Sequence, residues 1–379
     1  MRALILRFRP NYRAGLATRF RESFVVLISR DLFHRAGSQG HALQQHPPHK
    51  AEKKPSPGGK AAPLLAALDL GTNNCRLLIA RPVPQDDFRV VDSFSRIVRL
   101  GEGVGETGLL SEAAIERTIA ALKICAERIA RHDVHHVFAI ATEAARQAAN
   151  TDILIARAQG EAGIALKVIS AEKEADLAAL GCAPLIGPKY QGALIFDIGG
   201  GSTEIVWQHK EGGEMHKRFA ASLPVGVVNL AEAYGEKAQS RAGFETMRGA
   251  MLVRFAPLRE KTQGFDPARE HLLGTSGTVT TLAALALKLP RYHRAKVDGS
   301  WHQTARLAAI VDHISHLDVP ALAGMGAIGP ERADLMLAGS AIFTAICTHW
   351  PSPVLRVADR GLREGMLRQM RDELMSNPA

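Results

Sequence analysis

The sequence predicts an α/β protein made of two duplicated domains that face each other across a central cleft. Three observations carry this reading. Strand-like and helix-like stretches alternate from residue 63 onward, the pattern restarts near the middle of the chain, and both halves open with the same device. "AALDLGTNNCRLLIA" and "LIFDIGGGSTEIVW" each run apolar strand, Asp, Leu or Ile, Gly, small polar turn, second apolar strand, with Asp69 and Asp197 128 residues apart. Chance likeness between two glycine hairpins is the alternative, and the matching Asp position and following strand weigh against it. A chain of 379 residues that is 46% hydrophobic has enough apolar side chain for two cores. The expected boundaries are a basic extension over 1–62, a first domain over 63–176, a second over 177–360 and a C-terminal helix over 361–379 that packs back on the first domain.

The elements follow in order. "LLAALDL", "CRLLIARPV" and "FRVVDSF" are apolar enough for three strands, the first two joined by a tight Asn-containing turn. Ser111 caps a long helix whose Ile115, Ile119, Leu122 and Ile129 recur at helical spacing. A strand "HVFAIAT", helices from Glu143 and Asp152, a strand "LKVIS" and a helix from Ala171 complete the first half. The second half repeats the three strands as "GALIFDI", "STEIVWQ" and "MHKRFAA", and helices dominate from Val227 to Lys261. "HLLGTS" is a short strand with a glycine turn opening the helix "TVTTLAALAL". A strand "SPVLRVAD" and a helix from Leu362 close the chain.

Charge and cysteine usage exclude several classes. The net charge of +9 lies wholly in residues 1–62, which hold 12 Lys+Arg against 3 Asp+Glu; the rest carries 35 of each sign. That segment is too polar to pack and reads as a disordered extension without a catalytic role, so nucleic acid is not expected as a partner. Its "SFVVLIS" run is too short for a signal-peptide core, and no stretch approaches the roughly 20 apolar residues of a membrane span. Cys75, Cys125, Cys182 and Cys347 are scattered, as reduced thiols of a cytoplasmic protein would be. The histidines show no metal-ligand spacing.

The chemistry concentrates in the hairpin turns. Glycine lets backbone N–H groups approach an anion that a Cβ would block, and consecutive N–H groups form a concavity for phosphate oxygens. Gly199, Gly200 and Gly201 with the hydroxyls of Ser202 and Thr203 form one such cradle. Gly71, Thr72, Asn73 and Asn74 form its counterpart, so the two would clamp a polyanion from both sides. Phosphate chains arrive with Mg²⁺ or another divalent cation, which takes carboxylates, phosphate oxygens and water. Asp197 and Glu204 bracket the glycine turn and are the candidate metal ligands. Gly274, Thr275, Ser276 and Gly277 open a helix and offer a further phosphate or nucleotide loop.

Three further segments, "ATEAARQAAN", "VISAEKEADLAALG" and "LLGTSGTVTTLAAL", complete a set with "RIVRLGEGV", "SLPVGVVNLAEAY" and "ADRGLREGML". Together with the glycine hairpins these ordered motifs, over roughly 63–375, closely resemble the exopolyphosphatase/guanosine pentaphosphate phosphohydrolase (Ppx/GppA) family in its short two-domain form. The resemblance implies two RNase H-like domains of the actin, sugar kinase and Hsp70 superfamily. It implies a hydrolase that releases terminal orthophosphate from inorganic polyphosphate, or alternatively removes the 5′ phosphate of guanosine pentaphosphate (pppGpp) or binds either without turnover. It assigns the general base to Glu174 and a phosphate contact to Arg146; Glu143, at the start of its helix, is read either as a second acid near the water or as a first-turn helix residue. Ala171, Lys173 and Asp176 depart from the family pattern, so substrate grip and chain-length preference stay open. A homodimer stays open as well.

Overall fold

The computed structural model describes residues 62–84 and 87–376, and the expectation for the basic extension falls almost entirely outside them. In the first half, β1 (Leu65–Leu70), β2 (Asn74–Val83), β3 (Asp87–Ile97), β4 (His136–Ala141) and β5 (Lys167–Val168) form a sheet in the order β3-β2-β1-β4-β5. β1, β2 and β3 are an antiparallel meander; β4 is parallel to β1 and β5 to β4. In the second half, β6 (Gly192–Ile198), β7 (Thr203–Glu211), β8 (Glu214–Leu223), β9 (Glu270–Thr275), β10 (Trp301–Gln303) and β11 (Val354–Val357) form a sheet in the order β10-β11-β9-β6-β7-β8. β6, β7 and β8 repeat the meander, and β9 and β11 repeat the parallel strands. The two halves therefore share one topology, with β10 added at an edge.

Central strands of such sheets are covered on both faces, so they need continuous apolar runs. β1 and β9 are buried at every position, and β6 at all but Asp197. Helix α1 (Glu112–Arg131) covers the first sheet with Ile115, Ile119, Leu122 and Ile129, and the Ser111 hydroxyl caps it by accepting from the Ala114 N–H at 3.2 Å. Further helices that position the site are α2 (Glu143–Gln147), α3 (Ala171–Cys182), α4 (Val227–Tyr234), α5 (Arg241–Lys261), α6 (Ser276–Ala286), α7 (Met336–His349) and α8 (Leu362–Ser376). The core of the second half packs α5, α6 and α7 around Phe196, Phe343 and Trp350.

Helix α3 changes the expected division at residues 176 and 177, because that boundary falls inside a continuous helix. Its Leu177 joins Leu65, Leu78, Met366 and Leu367 under the first sheet. Its Ala175 and Ala179 join Ile195, Val206 and Leu273 under the second. One helix thus serves both cores, and its partner α8 lies against β1. The two helices touch backbone to backbone: a Cβ on Gly181 would stand 1.9 Å from the Gly361 carbonyl oxygen, and one on Gly365 1.8 Å from that of Leu177.

Candidate active site

The two predicted turns meet. A Cβ on Gly201 would stand 2.5 Å from the Thr72 hydroxyl, and one on Gly200 3.1 Å from the Asn73 nitrogen, so only glycine permits this approach. The turns are closed alike, the Gly71 N–H donating to the Asn74 carbonyl and the Gly199 N–H to that of Ser202, each at 2.9 Å. Their remaining carbonyls are tied back. Val227 and Val228 at the start of α4 donate to Gly199 and Gly200, Asn229 Nδ2 to Gly201, Gly101 to Thr72, and Val98 and Arg99 to Asn73. The amides of Thr72, Asn73, Gly200 and Gly201 have no backbone acceptor among the described residues. All four residues line a cleft of about 460 Å³, where Asn73 also leaves a buried Oδ1 unpartnered. Loops with carbonyls drawn back and amides left over suit anion oxygens.

Strand register assembles the acids. Asp197 of β6 pairs with Glu204 of β7, and Glu204 with Ser222 of β8, so three polar side chains share one rung and one face of the sheet. The Ser222 hydroxyl donates to Glu204 Oε1 at 2.7 Å. Burial pushes Asp197 up to about 6, the Asp69 charge adding to it and Arg76 opposing it. Burial also raises Glu204, with Glu174 and Asp197 adding to it. Asp69 on β1 is raised by burial against the pull of Arg76 and Arg363. Carboxylates this closely placed, with no cation among the influences on Glu204, favour a bound cation.

Glu174 lies in the first turn of α3, which the Ser170 hydroxyl caps by accepting from the Lys173 N–H at 3.2 Å. Burial pushes its carboxyl up to about 7 although Arg146 Nη1 donates to it at 2.7 Å. The same guanidinium donates to Glu143 Oε2 from both Nε and Nη2, and Nη1 also reaches the Ile169 carbonyl at 3.0 Å. Glu143 takes a further bond from Gln147 at 2.6 Å. Arg146 therefore clamps two acids in fixed positions.

The cleft also carries basic groups. Arg76, Arg332 and Arg363 all line it, and none forms an ion pair among the described residues. Arg332 and Arg363 have their pKa lowered, first by burial, with the Arg76 charge adding to it. Neighbouring Arg294 is instead neutralised by Glu364 at 2.7 Å, and Tyr292 donates to Asp359 at 2.5 Å. Three half-buried guanidiniums that lack ion-pair contacts of their own, although Asp69, Asp359 and Glu364 lie near them, make a site for a polyanion.

Of the residues expected from sequence, Gly71, Thr72, Asn73, Asn74, Glu174, Asp197, Gly199, Gly200, Gly201, Ser202, Glu204, Thr275, Ser276 and Gly277 line this one cleft. Ser276 sits there with a left-handed φ of 79° and opposes the rise in the Asp197 pKa. Three expectations need correction. Thr203 faces the other side of its strand and donates to the Val225 carbonyl at 2.7 Å, because adjacent strand residues alternate. Gly274 is a packing residue, since a Cβ there would stand 2.6 Å from the Phe196 ring. Arg146 is committed to carboxylates, not held free for phosphate. Sequence reasoning missed Arg76, Arg332 and Arg363. Arg76 was within reach: the hairpin register sets it opposite Asp69, as Glu204 is opposite Asp197.

Comparison with known proteins places these features. The profile of the Ppx/GppA phosphatase family matches residues 78–374. Exopolyphosphatase 2 of Mycobacterium tuberculosis is 32% identical over 73% of this chain and 88% of its own length. A guanosine-5′-triphosphate,3′-diphosphate pyrophosphatase of Vibrio parahaemolyticus is 29% identical over 84% of this chain, which spans 61% of that relative. The crystal structure of the Aquifex aeolicus Ppx/GppA family member superposes with a TM-score of 0.66 at 30% identity, covering 84% of this chain and 99% of that one.

Proposed function

The chain belongs to the Ppx/GppA phosphatase family, and from that premise we propose that its cleft hydrolyses the terminal phosphoanhydride of inorganic polyphosphate and releases orthophosphate. The observation that carries this reading is what one cleft brings together: three guanidiniums without ion pairs among the described residues, buried carboxylates, and two facing amide cradles. A phosphate chain lies in such a cleft with its body among the arginines and its end at the acids.

The roles follow from position. The amides of Gly200, Gly201, Thr72 and Asn73 bind the oxygens of the terminal phosphoryl group, and Arg76, Arg332 and Arg363 bind the phosphates behind it. Glu174 takes the proton of the attacking water. The water oxygen bonds to the terminal phosphorus, and the P–O bond to the rest of the chain breaks with its electron pair on the chain's new terminal oxygen. Arg146 and Glu143 hold Glu174 in place.

The residues fit a divalent cation of the Mg²⁺ type. Among the described residues no three His, Cys, Asp or Glu side chains converge to hold a metal unaided. Asp197 and Glu204, paired across β6 and β7, supply the one or two carboxylates that Mg²⁺ takes when phosphate oxygens and water complete its shell. When bound, the cation neutralises charge on the phosphoryl oxygens.

The lining carries few aromatic faces for a base, Phe94 and Tyr292 among them, and Tyr292 is tied to Asp359. Polyphosphate is therefore preferred over pppGpp. Purified protein given polyphosphates of several lengths and pppGpp side by side, with and without Mg²⁺, tests this. Metal-dependent orthophosphate release that is faster from polyphosphate is expected, and no release from either substrate would overturn the assignment.

A further inference from the structure

A second hollow lies behind the acids. A groove of about 430 Å³ runs between the N-terminal half of α3 and strand β8, lined by Ala171 and Ala175 on one wall and Ala220 and Ser222 on the other. Lys217, Arg218 and Glu172 stand in its lining, Lys217 paired with Asp176 at 2.6 Å and Arg218 with Glu211. The groove and the cleft share a wall. Ser222, which lines the groove, donates at 2.7 Å to Glu204, which lines the cleft.

Sheet order fixes which end of the substrate this wall faces. From β11 to β8 one crosses β9, β6 and β7, and the rung that meets the cleft reads Thr275, Asp197, Glu204, Ser222. Arg363 follows β11, and Arg332 lies near Tyr292 and Asp359 beside it, so these two guanidiniums lie toward β11, while Arg76 stands on β2 of the first sheet. The groove opens at the other flank, beyond β7. Phosphoryl transfer keeps the attacking and leaving oxygens roughly in line. With the leaving chain held by guanidiniums on the β11 flank, water attacks from the β8 flank, and the new orthophosphate is formed next to the Glu204–Ser222 wall.

Resting on the reading of the cleft above, we propose that the α3–β8 groove is the exit for orthophosphate, with the Ser222–Glu204 contact as its gate. The shortened polyphosphate then keeps its place among the arginines while its product leaves behind it. Front and rear openings let turnover repeat without release of the chain.

Filling the groove tests this. Ala171→Leu narrows it from the first turn of α3 and Ala220→Leu from the facing strand, while Ala171→Gly widens it. Each protein is mixed with long polyphosphate and Mg²⁺. Orthophosphate is followed both in acid-quenched samples, which count all that is cleaved, and with a fluorescent phosphate-binding reporter, which counts only what is free. In wild type the two time courses coincide. In the narrowed variants acid quenching shows a burst of about one orthophosphate per site ahead of the free signal, and kcat falls about tenfold with KM falling alongside it so that kcat/KM is little changed, whereas Ala171→Gly loses nothing. Coincident time courses in both narrowed variants overturn the exit, whether or not kcat falls. Absence of cleavage by wild type overturns the polyphosphate assignment itself and the exit with it.

Discussion

Replacing Arg146 separates two accounts of how this site works. If the arginine contacts phosphate, as the family resemblance implies, its loss weakens substrate binding. In the structure it instead bridges Glu143 and Glu174, with a 2.7 Å bond to the latter. A hydrogen bond to a charged partner is worth about 1.5–3 kcal/mol, and about 1.4 kcal/mol corresponds to one pH unit. In Arg146→Met, which keeps an apolar side chain in place of the guanidinium, the Glu174 carboxyl therefore rises by about 1–2 units from its value of about 7. The acid limb of kcat, where the base must lose its proton, moves up by the same amount. At pH 7, where half of the wild-type carboxyl is already ionised, turnover falls about 5–50-fold, and much of it returns by about pH 9. The assay is orthophosphate release from polyphosphate at saturating Mg²⁺ across that range. A limb that stays put while KM rises at unchanged kcat would refute the positioning role.

Four other perturbations have defined outcomes. Glu174→Gln keeps the fold by circular dichroism and loses about 10²–10⁴ in kcat, as expected for a general base; wild-type turnover removes that assignment. Arg332→Ala, which deletes a cation without an internal ion pair, raises KM for polyphosphate about 10–100-fold with little change in kcat, read from initial rates at varied substrate. Gly201→Ala places a Cβ 2.5 Å from the Thr72 hydroxyl, so the facing turns separate; turnover falls at least about tenfold, and an unaffected rate rejects the shared cradle. Without metal, melting temperature falls as pH rises through about 6 and 7, where Asp197 and Glu174 lose their protons. Their folded-state pKa values lie above the unfolded ones, so their stabilising contribution is complete below about pH 4 and is lost above the folded values, about 3 kcal/mol at Glu174. Mg²⁺ restores stability at pH 8 and changes little at pH 5, as differential scanning fluorimetry reads; an equal Mg²⁺ effect at both pH values argues against carboxylate ligation.

What the sequence disclosed and what it hid have a common physical origin. The duplicated architecture was legible because β1 and β6 are apolar runs interrupted by the same Asp and glycine turn, a pattern that local chemistry imposes. The cradle residues were legible for the same reason. Arg332 and Arg363 were not, because they come from distant segments that only the fold of the second sheet and the docking of α8 bring to the cleft, whereas Arg76 follows from the register of the first hairpin. Thr203 and Arg146 were misassigned although local rules applied to both. Strand alternation turns Thr203 away from Glu204, and the three-residue spacing of Glu143 and Arg146 puts them on one helix face as an ion pair.

The duplication also explains why the cleft has a direction. In the first sheet one rung reads Asp69, Arg76, Ser95; in the second the equivalent rung reads Asp197, Glu204, Ser222. The two rungs differ in charge only at the middle position. With arginine there the local charge cancels, and the rung tolerates the body of a phosphate chain; with glutamate there two adjacent acids repel, and the rung calls for a cation beside the scissile group. A symmetric pair of either kind would bind a phosphate chain in both orientations, or in neither. One change of sign between two copies of the same hairpin is enough to set which end of the chain meets Glu174, and hence on which flank its product is set free.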